Sequence, residues 1–517
     1  MRLVKMDGMR AAFAILAIVA LTWTVGHFAW AQGSAQSQAN PPNGRTQQER
    51  NYTEPVYFAP DAGLRWPLTP ETKPYGSIDG THLREYIKEL IDISHRSRDR
   101  GDQLWGRITG QPADAETAQW FMDKLKQAGV TDIHQEQLDL PPQAVTKSWN
   151  VTVEGNGKTM TLESALPGRG SPGTNGAVAD AEAIYVGLGT ASDFMGRDVK
   201  GKAVFIYSQP LPGAWTSSGS RYDAITRAEN GGAAVVFISI QIPGNFKEAV
   251  GSSTKEPGFT LGMKDGLAVR EMMEASNGRP VHVKFSSDIQ MVSGEKTSLV
   301  WGVIPGMTDE KIVINAHRDG YFEAADDNGS GVANALGLAE YFAKMPKEKR
   351  KRTIIIIGNP GHHNTPVGSQ YMVAHKDVFF SKAALLINCE HTAQAGADLY
   401  GFKLMMTNSP WDQNWFVGGG PKLAPVVEKD LDAFGVVRYA EMDPSPPGDI
   451  GMTYKLAPSL QLIQQSPFYH SDHDTLDTIS TGALENVTRA YAKIIDDVNK
   501  MNLSDLVLPQ DAGSEGR

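Results

Sequence analysis

The sequence predicts an α/β protein with a mixed, mostly parallel central sheet flanked by helices, interrupted by a smaller α/β domain. Two observations point to the sheet. Apolar runs at Leu299–Ile304, Ile312–Asn315, Thr353–Ile357, Ala384–Ile387 and Leu460–Ile463 have strand length, and helical stretches separate them. After most of them comes a cluster of His, Asp or Glu, the place where open α/β sheets carry their sites. A third observation sets residues 159–295 apart: short strands and helices recur there, with few histidines or acidic clusters.

The chain has 517 residues, too many for one ordinary core, which predicts more than one domain. A net charge of −10 and the absence of a long basic run argue against nucleic-acid partners. The first 31 residues read as a signal peptide. Arg2, Lys5 and Arg10 form a positive start, Ala11–Ala20 an apolar stretch, and Ala29-Trp30-Ala31 a cleavage site, so a secreted or periplasmic location is expected. An uncleaved N-terminal anchor is the alternative; no later segment is long and apolar enough to span a membrane. The single cysteine, Cys389, lies in an apolar run and reads as a small buried hydrophobe.

In chain order, residues 32–76 are polar, proline-bearing and aperiodic, and read as a linker. Leu83, Tyr86, Ile87, Leu90 and Ile91 mark an amphipathic helix. A second helix is expected after Pro112, with Asp114 as its cap and Gly129 as its stop. Strands are expected near 132–138 and 149–153. The larger domain is therefore expected over 77–158 and 296–505, the inserted domain over 159–295, and a disordered tail from 506. Val332, Ala335, Leu336, Ala339 and Phe342 fall at helical spacing behind Ser330, read as an N-cap, and a last helix is expected near 484–498.

The chemistry concentrates in Ala316-His317-Arg318-Asp319-Gly320 and Asp326-Asp327-Asn328-Gly329-Ser330-Gly331. Imidazole is a borderline nitrogen donor, and one carboxylate can bridge two cations. Later strand ends add His362-His363, Asn388-Cys389-Glu390-His391 and Tyr469-His470, followed by Asp474. A lone histidine at such a place is more often structural; several converging on one sheet edge point to a metal site.

These motifs resemble peptidase family M28, the co-catalytic zinc aminopeptidases and their carboxypeptidase relatives, with an inserted protease-associated (PA) domain. The resemblance spans about residues 80–505. It rests on His317-x-Asp319, on Asp327-x-x-Ser330-Gly331, on Asn388-x-Glu390 and on Tyr469-His470 followed by Asp474-Thr475. Val199-Lys200-Gly201-Lys202 and Ala228–Phe237 resemble a PA domain. The resemblance implies two zinc ions, although one ion or another divalent metal is also compatible. It implies His317 and Glu390 on one ion, His470 on the other, Asp327 bridging, Asp319 orienting His317 and Tyr469 steadying an oxyanion.

The sequence departs from the family where two consecutive glutamates, base and ligand, are expected: it has His362 and His363. His363 can serve as a ligand and His362 as a general base, with Glu323 or Asp326 as substitutes for the latter. The expected function is a zinc-dependent hydrolase, a peptidase acting on peptides or small amides through metal-activated water. A hydrolase of non-peptide amides or esters, or an inactive peptide- or glycan-binding member, are the alternatives that the histidine pair leaves open.

Overall fold

The protein is described by a computed structural model covering residues 66–208, 221–400, 403–439 and 441–507. The expected signal peptide, most of the linker and nearly all of the tail lie outside the described residues. All described residues belong to one unit, Arg50–Arg517. Among them, no helix is long and apolar enough to cross a membrane.

The sheet that carries the site has seven strands: β1 (Asp132–Asp139), β2 (Lys296–Ile304), β3 (Lys311–His317), β4 (Thr353–Asn359), β5 (Ala383–Cys389), β6 (Asn414–Gly418) and β7 (Ser459–Ile463). Their order is β6-β7-β5-β3-β4-β2-β1. The four central strands β7, β5, β3 and β4 run parallel, and antiparallel pairs extend the sheet at both sides. Alternation along the strands buries both faces. Ile312 and Ile314 of β3, with Ile354 and Ile356 of β4, join one core, whereas Val313, Ile355 and Ile357 join the other.

The first core is covered by α1 (Gly80–Asp99), α2 (Pro112–Gln127), α3 (Gly331–Ala343) and α4 (Thr481–Asn499). Asp79 caps α1 by accepting from the Thr81 and His82 amides. Asp114 does not hold the N-cap position expected of it, and Ser330, which does, makes no side-chain capping bond. Gln111 holds the N-cap position of α2, and Asp114 lies inside the first turn. There it accepts from Gly110 and Thr297 and pairs with Arg318. Ser330 has helical backbone, because the turn Ala325–Ser330 runs straight into α3; its hydroxyl donates to the Asp326 carbonyl and accepts from the Thr392 amide. Gly129 ends α2 as expected, with φ of 95°.

A second, eight-stranded sheet occupies the chain between β1 and β2. Its centre is a parallel set, Ala179–Tyr185, Ala203–Ser208, Val235–Ile240 and Gly258–Leu261. The long strands Gln143–Gly155 and His282–Val292 pair antiparallel and lead into and out of it. The second sheet therefore already begins at Gln143, within the segment assigned from sequence to the catalytic part.

Candidate metal centre

Three parallel strands deliver the site. β3 ends at His317, β4 leads to His362 and His363, and β5 leads to Glu390 and His391. The turn before α3 brings Asp327, and the loop after β7 brings Tyr469 and His470. Asn328 ties these ends together. Its amide donates to the carbonyls of His317 and Cys389, and its oxygen accepts from the Gly331 and His391 amides.

Asp327 stands at the centre. Its Oδ1 lies 3.4 Å from His317 Nε2, and its Oδ2 lies 3.5 Å from His363 Nε2 and 3.1 Å from His470 Nε2. Glu390 Oε1 is 3.8 Å from His317 Nε2. These side chains are almost completely buried. The Nε2 atoms of His317, His363 and His470 and both Asp327 oxygens satisfy no hydrogen bond. Each of these rings has its Nδ1 edge against an oxygen: the Asp319 carbonyl at 3.1 Å for His317, the Asp319 carboxylate at 3.1 Å for His363, and the Ala249 carbonyl at 3.3 Å for His470. A neutral ring that donates from Nδ1 turns its Nε2 lone pair toward the carboxylate. Lone pair facing lone pair in a buried space calls for a cation, and nitrogen and oxygen donors of this kind suit zinc. The donor set fits the metal.

Without a metal, a proton takes over part of the cation's place, as the charges show. Burial would raise the Asp327 carboxyl, but His391 and His363 hold it well below the usual carboxylate range. Burial would lower His317, yet Asp319 and Asp327 push it up to about 10. For His470 burial wins and brings it down to about 3.

Asp319 serves the histidine pair more directly than His317. Its carboxylate accepts from the amides of His362 and His363 as well as from the His363 ring, while His317 faces its backbone carbonyl. Asn388 orients Glu390: its side-chain amide donates to Glu390 Oε2 at 2.5 Å and to Gln461 at 2.7 Å.

His362 stacks on His317 with ring centroids 4.1 Å apart, and its Nε2 lies 3.7 Å from Glu390 Oε1. Its Nδ1 is 2.8 Å from Asp449 Oδ1. Burial and His317 pull His362 down, but Asp449 outweighs them and leaves it above the ordinary histidine value. Tyr469 is half-buried, its ring stacked on that of His470 at 3.5 Å. Glu323 and Asp326 do not stand in for His362. Glu323 turns to His95 at 2.9 Å, and Asp326 accepts the Ala393 amide beneath the site.

Sequence reading left four contributors out of the site. His391 follows Glu390 directly, in a stretch already singled out for its histidine. Asp449 sits behind Pro444-Ser445-Pro446-Pro447-Gly448, a loop with no periodicity to flag it. Arg169, which donates to the His363 carbonyl at 3.2 Å, and Ala249 come from the second sheet's segment and meet the site only through the fold.

Residues 300–495 match the model of Peptidase family M28. Fold and family match define a metallopeptidase-like hydrolase. Over that segment, which runs from β2 into α4, the chain is similar to the M28 peptidases. No curated protein matches the chain. Solved structures do. A zinc aminopeptidase from Bacillus subtilis aligns at 17% identity and TM-score 0.58, over 83% of this chain and 98% of its own. An aminopeptidase from Aneurinibacillus sp. strain AM-1 aligns at 18% identity and TM-score 0.53, over 82% and 95%. A Peptidase M28 precursor from Shewanella amazonensis SB2B aligns at 17% identity and TM-score 0.60, over 83% and 97%. At these identities the likeness speaks for the fold.

Proposed function

We propose that the protein is an exported zinc-dependent peptidase that cleaves amide bonds of peptides with metal-activated water. The observation that carries this reading is Asp327, whose two buried oxygens each face imidazole nitrogens that nothing else satisfies. His317, Asp327 and Glu390 would hold one zinc ion, and Asp327, His363 and His470 the other. Bound zinc supplies Lewis acidity for the scissile carbonyl and a lowered pKa for water.

The chain's own side chains supply the rest. The Tyr469 hydroxyl, held beside His470 by the ring stack, donates to the developing oxyanion. His362 takes the proton at Nε2 and passes it to the leaving amine, with Asp449 holding the ring from Nδ1. Asp319 fixes the backbone of the His362-His363 turn, and so sets where both rings point. The second sheet, read as a PA-like lobe, shapes access to the cleft. Its contacts with His470 and His363 through Ala249 and Arg169 support that role. The signal peptide read in residues 1–31 supports export.

A panel of aminoacyl anilides, short peptides and simple esters, assayed with and without a chelator, tests the reading. The expected result is chelator-sensitive release from the amide substrates. Amide rates equal to the no-enzyme blank in zinc-loaded protein would overturn it.

A further inference from the structure

We infer that His391 is a fourth protein ligand on the His317 side of the centre, so that the two metal positions differ in kind: one filled by four protein donors, the other left with three. This rests on the two-zinc reading above.

His391 follows the end of β5, where the chain leaves strand geometry and two consecutive residues, Glu390 and His391, both turn inward. The His391 backbone is fixed by the Asn328 oxygen at 3.1 Å. Its Nδ1 lies 3.0 Å from the Gln464 carbonyl, the arrangement that the other three rings make with Asp319 and Ala249. Its Nε2 lies 3.7 Å from Asp327 Oδ1 and 3.7 Å from Glu390 Oε1. The donor atoms of His317, Asp327 and His391 all fall within 4.8 Å of one another, as do those of Asp327, His363 and His470. Each Asp327 oxygen thus faces a pair of imidazoles, His317 and His391 on Oδ1, His363 and His470 on Oδ2.

Counting donors gives the functional consequence. His317, His391 and Asp327 form one group of donors, and Glu390, 3.8 Å from His317 Nε2 and 3.7 Å from His391 Nε2, brings the count to four, the number zinc ordinarily takes in closed structural sites; His362, which also groups with His317 and Glu390, is assigned to proton transfer instead. His363, His470 and Asp327 offer three, the number in catalytic sites that keep a position for water or substrate. The His363–His470 position is therefore the one open to the reaction. The His317–His391 position holds Asp327 in place and supplies charge.

The test is zinc titration of the metal-free full-length protein by calorimetry, with elemental analysis after dialysis. Wild type is expected to bind in two steps of different affinity. His391→Gln should weaken the tighter step by more than about tenfold, since even outer partners of a ligand change affinity by 10–100-fold. His363→Ala should remove the weaker step and leave the tighter one. Circular dichroism of the metal-free variants checks their folding, and His391→Asn repeats the measurement if His391→Gln does not fold. Two steps of unaltered affinity in a folded His391 variant would overturn the inference while leaving the two-zinc reading intact. Wild type that binds no zinc would overturn both, and that outcome is recognised before any variant is made.

Discussion

The Nδ1 atom of His362 lies 2.8 Å from Asp449 Oδ1, and Asp449 Oδ2 in turn accepts from Asn359 at 2.7 Å at the end of β4. The carboxylate thereby fixes one tautomer of His362 and aims Nε2 into the site. Asp449→Asn should lower kcat by about 10–100-fold, the usual scale for a group that orients a reacting histidine. KM and bound zinc should stay near wild type. Unchanged kcat in a fully metallated variant would show that His362 moves no proton.

Gly448 makes room for Glu390. A Cβ at this position would sit 2.5 Å from both Glu390 oxygens, and its φ of +80° is costly for any other residue. Gly448→Ala should push the carboxylate away from His317 and weaken zinc on that side of the centre. Elemental analysis after dialysis should show a loss of zinc. Full retention of zinc would contradict the placement of Glu390 as a ligand.

Arg318 and Asp114 form a buried pair at 3.1 Å that ties the end of β3 to α2. Arg318 also donates to the Gly358 and Ser298 carbonyls. Burial pushes Asp114 up in spite of Arg318, so removing the cation strands a buried acid. Arg318→Ala should cost about 3–5 kcal/mol in urea unfolding. A loss below about 1 kcal/mol, the scale of an exposed pair, would show that water reaches it.

Under the site, burial pushes Asp326 up from 3.8 to about 6, and burial beside Asp326 also raises Asp474. An acid whose pKa is raised by folding contributes stability that is fully present below its unfolded pKa and is lost as pH climbs through the folded value. Metal-free protein should therefore lose stability as pH climbs from about 4 through about 6. Asp326→Asn should flatten this slope, because its side-chain oxygen can still accept the Ala393 amide. Equal slopes in denaturant melts would assign the effect elsewhere.

Much of this was readable in sequence, for a physical reason. A strand buried on both faces must be continuously apolar, so β3, β4, β5 and β7 announce themselves, and the residues after them fall at one sheet edge. That is why His317, Asp327, His363, Glu390 and His470 come together as their positions suggested. Long-range partners were not readable. Asp449 reaches His362 across 87 positions, and Ala249 reaches His470 across 221, with no local pattern to mark either. The caps failed for a related reason: Asp114 and Ser330 have the right residue types, but partners outside their helices claim their oxygens.

The most direct measurement is the zinc content of the purified mature protein after dialysis against zinc and then metal-free buffer. Two ions per chain, with activity on amide substrates lost when they are removed and regained when they return, is the predicted result. A folded protein with no bound zinc would contradict the account at its centre.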